Sequence, residues 1–329
     1  MSKYTVYISD YDYPDIAIEK SILEPIGAKV IGLQCKTGEG LAEQAADADA
    51  ILQQYAKIPR ATIERLKQCK VICRYGIGVD IVDVDAAYEH GMLVTNVPDY
   101  CIDEVADHAL SMGLMLCRDI PGYHREVAKG RWHWNLVPHL PKRLRETTWG
   151  FVGFGRIAQN AARKIGGFGA SVIAYDPYVS DGFMRTQDVR KAGFDELLET
   201  SDVVCILAPH TPETEKMMNE QAFRRMKKDA IFLCASRGKT VDNAALHTAL
   251  KEGWIGSAAL DDLYEEPAKL SHWNPADNPL FTLDNCYVTP HVAYVSRAAL
   301  DECRRIAAEN AREVLLGRQP PNIVRPVKR

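Results

Sequence analysis

Short apolar runs of four or five residues alternate with longer amphipathic stretches along nearly the whole chain, and this alternation constrains the fold more than any other feature. Runs that short read as strands, and the stretches between them are long enough for crossover helices, so the pattern calls for βα units and parallel sheets. In the first third the expected strands are Thr5–Ser9, Lys29–Leu33, Ala50–Leu52, Val71–Arg74 and Leu93–Asn96. A second series comprises Thr148–Val152, Ser171–Tyr175, Val203–Ala208, Ala230–Cys234, Ile255–Leu260 and Cys286–Thr289. Two series predict two sheets, in keeping with 329 residues at about 150 per domain. Hydrophobic residues make up 47% of the chain, ample for two cores.

Between the series, Ile102, Val105, Ala109, Met112 and Leu116 repeat at helical spacing, and a helix is expected from Ile102 to about Lys129. Pro121-Gly122 leaves open whether it is one rod, kinked, or two helices. A last helix is expected over Val295–Leu316, with Leu300, Cys303, Ile306, Ala307, Asn310 and Val314 on its packed side. Gly317 and Pro320-Pro321 end it, and the tail beyond is expected to fray. No internal repeat or low-complexity tract interrupts the pattern.

The formal charge of −4, from 40 basic and 44 acidic residues, argues against a nucleic-acid partner or an anionic membrane surface. The longest apolar stretch, Ala109–Cys117, is about half of what a bilayer requires, and the first residues carry no leader pattern, so no membrane association and a cytoplasmic location are expected. Nine cysteines, an odd number, several of them inside apolar runs (Cys73, Cys205, Cys234), predict a reduced chain. Neither the cysteines nor the histidines show metal-ligand spacing, and no metal is expected.

The sharpest local signal is Thr148-Trp149-Gly150-Phe151-Val152-Gly153-Phe154-Gly155-Arg156-Ile157-Ala158, a strand running through Gly-x-Gly-x-x-Ala into an alanine-rich helix. Gly153 permits the tight turn, Gly155 lets backbone approach a pyrophosphate, and Ala158 allows close helix-to-strand packing. Eighteen residues after Ala158, Asp176 ends the strand Ser171–Tyr175, where a carboxylate binds ribose hydroxyls and repels a 2′-phosphate. The pair predicts a dinucleotide site that favours NAD over NADP. Three strand ends then offer substrate chemistry: Arg237 in Cys234-Ala235-Ser236-Arg237-Gly238, Glu266 before Pro267, and His291 after Pro290. Each alone is bland: a turn arginine, an acid in an acidic turn, a histidine after proline.

Taken together, these motifs resemble the D-isomer-specific 2-hydroxyacid dehydrogenase family over almost the whole chain. The resemblance is carried by Arg74-Tyr75-Gly76-Ile77-Gly78-Val79-Asp80, Asn96-Val97-Pro98-Asp99-Tyr100, Glu104-Val105-Ala106-Asp107-His108, the Gly153 turn, Thr211-Pro212-Glu213-Thr214, Ser236-Arg237-Gly238, Glu266-Pro267 and Thr289-Pro290-His291, in the family's order. It implies a flavodoxin-like substrate domain, residues 1–99 plus 295–329, into which a Rossmann NAD domain, residues 100–294, is inserted, and a homodimer paired through the inserted part. It further implies His291 as general acid/base, Glu266 as its partner, and Arg237 as the group that holds the substrate carboxylate and polarises the keto oxygen. The chemistry agrees: reducing a ketone needs a proton donor that works near neutrality and a positive charge where the oxyanion develops. Arg74, Tyr75, Gly76 and Ile77 resemble a second carboxylate site that domain closure completes. For the cofactor the resemblance adds Arg156 and Ile157 at the pyrophosphate, Ala208 near the ribose, Ala235 near the nicotinamide and Asp261 at its carboxamide.

Some stretches depart from the family pattern. Cys234 stands where Asn is frequent, and Leu207-Ala208-Pro209-His210 replaces the usual His-x-Pro-Leu, so His210 is read as a solvent-facing loop residue. Gly130-Arg131-Trp132-His133-Trp134 and His291-Val292-Ala293-Tyr294-Val295-Ser296 resemble the bacterial C-terminal-binding-protein-like and hydroxypyruvate/glyoxylate reductase branch, in which the aromatic at Tyr294's position lines the substrate pocket; packing against the cofactor is the alternative for Tyr294. The expected activity is NAD(H)-dependent interconversion of a 2-keto acid and an R-2-hydroxy acid, without an appended regulatory domain. The competing reading is an NAD(H)-sensing protein that recruits protein partners; oxidation of formate or a phosphonate is disfavoured by Glu266, since formate enzymes carry Gln there.

Overall fold

The computed structural model describes residues 2–137, 140–265 and 272–326. The chain separates into two compact units, one made of residues 1–100 and 296–329, the other of residues 101–295.

In the first unit, among the described residues, β1 (Tyr4–Ile8), β2 (Ala28–Gly32), β3 (Ala50–Gln53), β4 (Val71–Arg74) and β5 (Leu93–Thr95) pair in parallel in the order β2-β1-β3-β4-β5. That is the flavodoxin-like order. Central strand β3 is buried at every residue, as a strand covered on both faces must be. The helix Arg297–Leu315 starts on Ser296, whose hydroxyl accepts from the Ala299 amide.

Two expectations about this end of the chain are corrected. The helix buries Ala299, Cys303, Arg304, Ala307, Ala308, Asn310, Ala311 and Leu315; Ile306 and Val314 are half-buried and packed against the core as expected, whereas Leu300 is half-buried outside that cluster. An ion pair of Arg304 with Glu19 draws the guanidinium into the packed face. Nor does the described part of the tail fray: Ile323–Val324, a strand too short for any periodicity, pairs antiparallel with β5, Ile323 opposite Thr95 and Val324 opposite Val94.

The second unit is built on β6 (Thr148–Val152), β7 (Ser171–Tyr175), β8 (Arg190–Lys191), β9 (Val203–Ile206), β10 (Ile231–Cys234), β11 (Ser257–Leu260) and β12 (Cys286–Val288). All pair in parallel, in the order β12-β11-β10-β9-β6-β7-β8. The chain reverses direction across the sheet between β6 and β9, the switch point where open α/β sheets take their ligands. The two-residue edge strand β8 carries no apolar run and gives no sequence signal. The long helical arm is two helices, Ile102–Cys117 and Ile120–Ala128. Asp119 turns left-handed between them (φ 45°) and its carboxylate caps Gly122, while Pro121 sits harmlessly in the new first turn. Cys73, Cys205 and Cys234 are at most 1% exposed, and among the described residues no disulfide forms. Among the described residues, no helix is long and apolar enough to cross a membrane.

Candidate active site

In the second unit, β6 delivers the chain into Gly153, whose φ of 86° lies in the region glycine tolerates. A Cβ there would come within 2.7 Å of the Ala208 backbone, so the loop after β9 packs directly on the turn. Gly155 heads the helix Arg156–Gly166; no side chain caps that helix, and nothing lies within 4 Å of a Cβ built on Gly155. An uncapped helix start beside open space suits a pyrophosphate, held by amides such as those of Arg156 and Ile157. Asp176 does a second task that its position in the sequence does not reveal. Its carboxylate accepts from the Phe154 amide (2.9 Å) inside the glycine turn and from the Tyr178 amide (2.9 Å). Each oxygen retains a further lone pair for a diol.

Arg237 and His291 each stand three residues beyond a strand of this same sheet, β10 and β12, with β11 between them. The Arg237 backbone is fixed from several sides. A Cβ on Gly238 would collide with the Leu263 carbonyl carbon, and the Gly238 amide donates to Asp262 (3.2 Å). Asp262, 6% exposed, also accepts from the Leu263 amide, and so joins the loop after β11 to the arginine turn. The Arg237 carbonyl accepts from the Thr240 hydroxyl (2.7 Å) and lies 3.8 Å from the Cys234 thiol. Where the family often has Asn, Cys234 thus offers the same carbonyl only a weak S–H donor. Ala235 is half-buried just after β10.

His291 adopts a left-handed backbone (φ 54°), and its amide donates to the Thr289 carbonyl (2.9 Å). Tyr294 presents its ring edge-on to the imidazole, centroids 6.2 Å apart. Asp261, 2% exposed, accepts from the Thr289 hydroxyl and from the Val292 and Ala293 amides, on both sides of His291. Glu266 lies outside the described residues. His210 does not simply face solvent: it pairs with Glu215, whose carboxyl that bond holds below the ordinary range, and Tyr264 donates to the same carboxylate (2.8 Å).

In the first unit, Arg74 ends β4, and Gly76 (φ 132°) turns the chain so that a Cβ would meet the Arg74 guanidinium. The Arg74 Nε is buried with no hydrogen-bond partner. Tyr75 is 2% exposed and donates its hydroxyl to Glu19 (3.0 Å), which takes two bonds from Arg304. Burial first, then the Glu19 charge, pushes the Tyr75 phenol well above its ordinary value. Ile77 is exposed at 36%, its carbonyl bonded by Asn96.

The family model for the NAD binding domain of D-isomer specific 2-hydroxyacid dehydrogenases matches residues 110–293. The glyoxylate reductase of Korarchaeum cryptofilum is 35% identical over 285 residues, 86% of this chain and 84% of that protein. The chain belongs to the D-isomer specific 2-hydroxyacid dehydrogenase family. Its second unit carries the family's NAD-binding domain, which makes the chain an NAD-dependent oxidoreductase. The D-3-phosphoglycerate dehydrogenase of Methanocaldococcus jannaschii is 37% identical over 92% of this chain, which spans 56% of that longer protein. Among solved structures, D-lactate dehydrogenase of Aquifex aeolicus, in complex with NAD and lactic acid, matches with a TM-score of 0.87 and 25% identity over 98% of this chain and 100% of that one.

Sequence reading missed the supporting residues Asp262, Glu19 and Arg304. Asp262 had a signal, a second acid directly after a buried strand. Arg304 had one as well, since it falls on the packed side of an otherwise small-residue helix.

Proposed function

We propose that this enzyme reduces a 2-keto acid to the R-2-hydroxy acid with NADH, Arg237 holding the substrate carboxylate and polarising the keto oxygen, and His291 donating the proton. The observation that carries this reading is the presence of Arg237 and His291 beyond two strands of the sheet that bears the glycine turn. Bound NADH supplies the hydride. Gly153 and Gly155 admit its pyrophosphate against the Arg156 and Ile157 amides, Asp176 takes the adenosine ribose and disfavours a 2′-phosphate, and Ala208, Ala235 and Asp261 line the nucleoside and nicotinamide positions. As the keto oxygen gains charge, the guanidinium of Arg237 stabilises it and the His291 imidazolium neutralises it by proton transfer. Glu266 favours that imidazolium. In the first unit, Arg74, Tyr75, Gly76 and Ile77 bind the substrate's acid end through backbone amides, and Tyr294 limits its side chain.

We further infer a cytoplasmic homodimer. Free thiols and the absence, among the described residues, of a spanning helix support the location. Pairing through the arm is supported by the side chains exposed along it, Ile120, Val127, Trp132, Trp134 and Leu140, with Trp132 at 86%.

The test is loss of NADH absorbance with glyoxylate, hydroxypyruvate, pyruvate, 2-ketobutyrate, 2-ketoisocaproate and phenylpyruvate, repeated with NADPH. Turnover that disappears in Arg237→Ala, and falls about 10²–10⁴-fold in His291→Gln while NADH still binds, is expected. Tight NADH binding with no turnover on any of these acids would point instead to an NAD(H) sensor or to a substrate outside this panel.

A further inference from the structure

We propose that Thr289 and His108, with the buried Asp261, form a clamp that holds the His291 loop in its working conformation, which makes Thr289 and His108 positioning residues for the proton donor. The inference rests on the role proposed for His291. It begins from backbone strain: a left-handed histidine persists only where its surroundings over-determine it. Here one carboxylate grips the loop on both sides. Asp261 Oδ1 accepts from the Thr289 hydroxyl at 2.6 Å and from the Val292 amide at 2.9 Å, and Oδ2 accepts from the Ala293 amide at 2.8 Å.

The proton order follows from the donor inventory. Thr289 has one hydroxyl proton, and the 2.6 Å contact assigns it to Asp261 in preference to the Leu260 carbonyl at 3.4 Å. The hydroxyl's lone pairs then require a donor, and His108 Nε2 stands 3.0 Å away. His108 therefore donates through Nε2, and the chain runs His108 to Thr289 to Asp261. The imidazole is 3.6 Å from Asp261 itself, too far for a direct bond. Because His108 lies on the helix Ile102–Cys117, the clamp ties that long helix to the catalytic loop. This also gives a purpose to the histidine of Glu104-Val105-Ala106-Asp107-His108, which neither the cofactor nor the substrate chemistry uses.

Thr289→Val keeps the shape and removes the hydroxyl; Thr289→Ser restores it. In the enzyme with saturating NADH, Thr289→Val is expected to lower kcat about tenfold or more with KM for NADH within about threefold, and Thr289→Ser to recover most of the loss, because small misplacements of a reacting group are costly. Hydrogen exchange at the Val292 and Ala293 amides reads the clamp without turnover, and is expected to quicken about tenfold in Thr289→Val but not in Thr289→Ser. Unchanged exchange, or a kcat loss that Ser does not repair, overturns the clamp. If Thr289→Val does not fold, His108→Leu decides by the same two readouts, with unchanged exchange and kcat again overturning it. An absence of keto-acid turnover in the parent enzyme would remove the proposed function alone, since the exchange measurement still passes judgement on the clamp.

Discussion

Each unit turns on a glycine with positive φ at the C-terminal end of a buried strand, Gly76 after β4 and Gly153 after β6, yet the two turns are built to different tolerances. At Gly153 the obstacle to a side chain is backbone, the Ala208 N and Cα at 2.7 Å. At Gly76 it is the far end of a flexible side chain, the Arg74 guanidinium. The first turn is rigid because two strand-end loops abut with no atom to spare. The second is stiff only from behind, where Tyr75 leans on the buried Glu19–Arg304 pair with the Tyr13 ring 5.5 Å from its own. The glycine turn of the NAD-binding domain and the turn proposed to receive the substrate acid thus obtain their order from different physics, steric exclusion in one and a buried ion pair in the other.

Gly153→Ala probes the first turn and should have the largest effect. The strained φ costs about 1–3 kcal/mol and the overpacking about as much again. NADH affinity, read by fluorescence titration, should fall about 100-fold or more, and a change within threefold would mean that the Ala208 loop can yield. Glu19→Gln tests the other mechanism. It leaves the Arg304 guanidinium, 4% exposed, with only the exposed Asp15 carboxylate at 3.4 Å as an anionic partner, and breaking a buried pair this way costs about 3–5 kcal/mol. Urea unfolding should show that loss, together with a raised KM for the keto acid and unaltered NADH affinity. If NADH affinity fell as far as KM rose, the distinction between the two turns would collapse. Gly76→Ala should be the mildest of the three, about 1–3 kcal/mol for its φ alone, because the Arg74 head can swing aside. An effect as large as that of Gly153→Ala would show that the guanidinium is fixed after all.

How far the sequence reveals all this depends on the range of the interaction concerned. Apart from β8 and the tail strand, the strands of both sheets, the glycine turn and Asp176 are legible because each rests on local pattern or fixed spacing, and β4, β6 and β7 match their expected bounds residue for residue. The supports are not legible. Glu19 and Arg304 are separated by 285 residues, and Thr289 and His108 by 181, so no window along the chain contains either contact. The same blindness explains the tail. Ile323 and Val324 become a strand only because β5 presents an unpaired edge to them.

The thiols extend the comparison to the cores themselves, with the smallest effect. Burial pushes Cys73 in the first unit and Cys117 in the second each to about 12, far above the ordinary thiol range. In the unfolded chain the same thiols ionise near 8.5, so above that pH the unfolded state sheds protons that the native state retains. Stability therefore is unaffected by these groups at neutral pH and falls as pH rises from about 8.5 toward 12, by about 1.4 kcal/mol per pH unit for each thiol. Cys73→Ala removes one such group; whatever its cavity costs is the same at every pH, so the difference from the parent should shrink by that slope between pH 9 and 10. Cys117→Ala should do the same for the second unit. Parallel pH curves for parent and variant would mean that the thiol ionises inside the folded protein, and that the core around it opens to water more readily than its packing indicates.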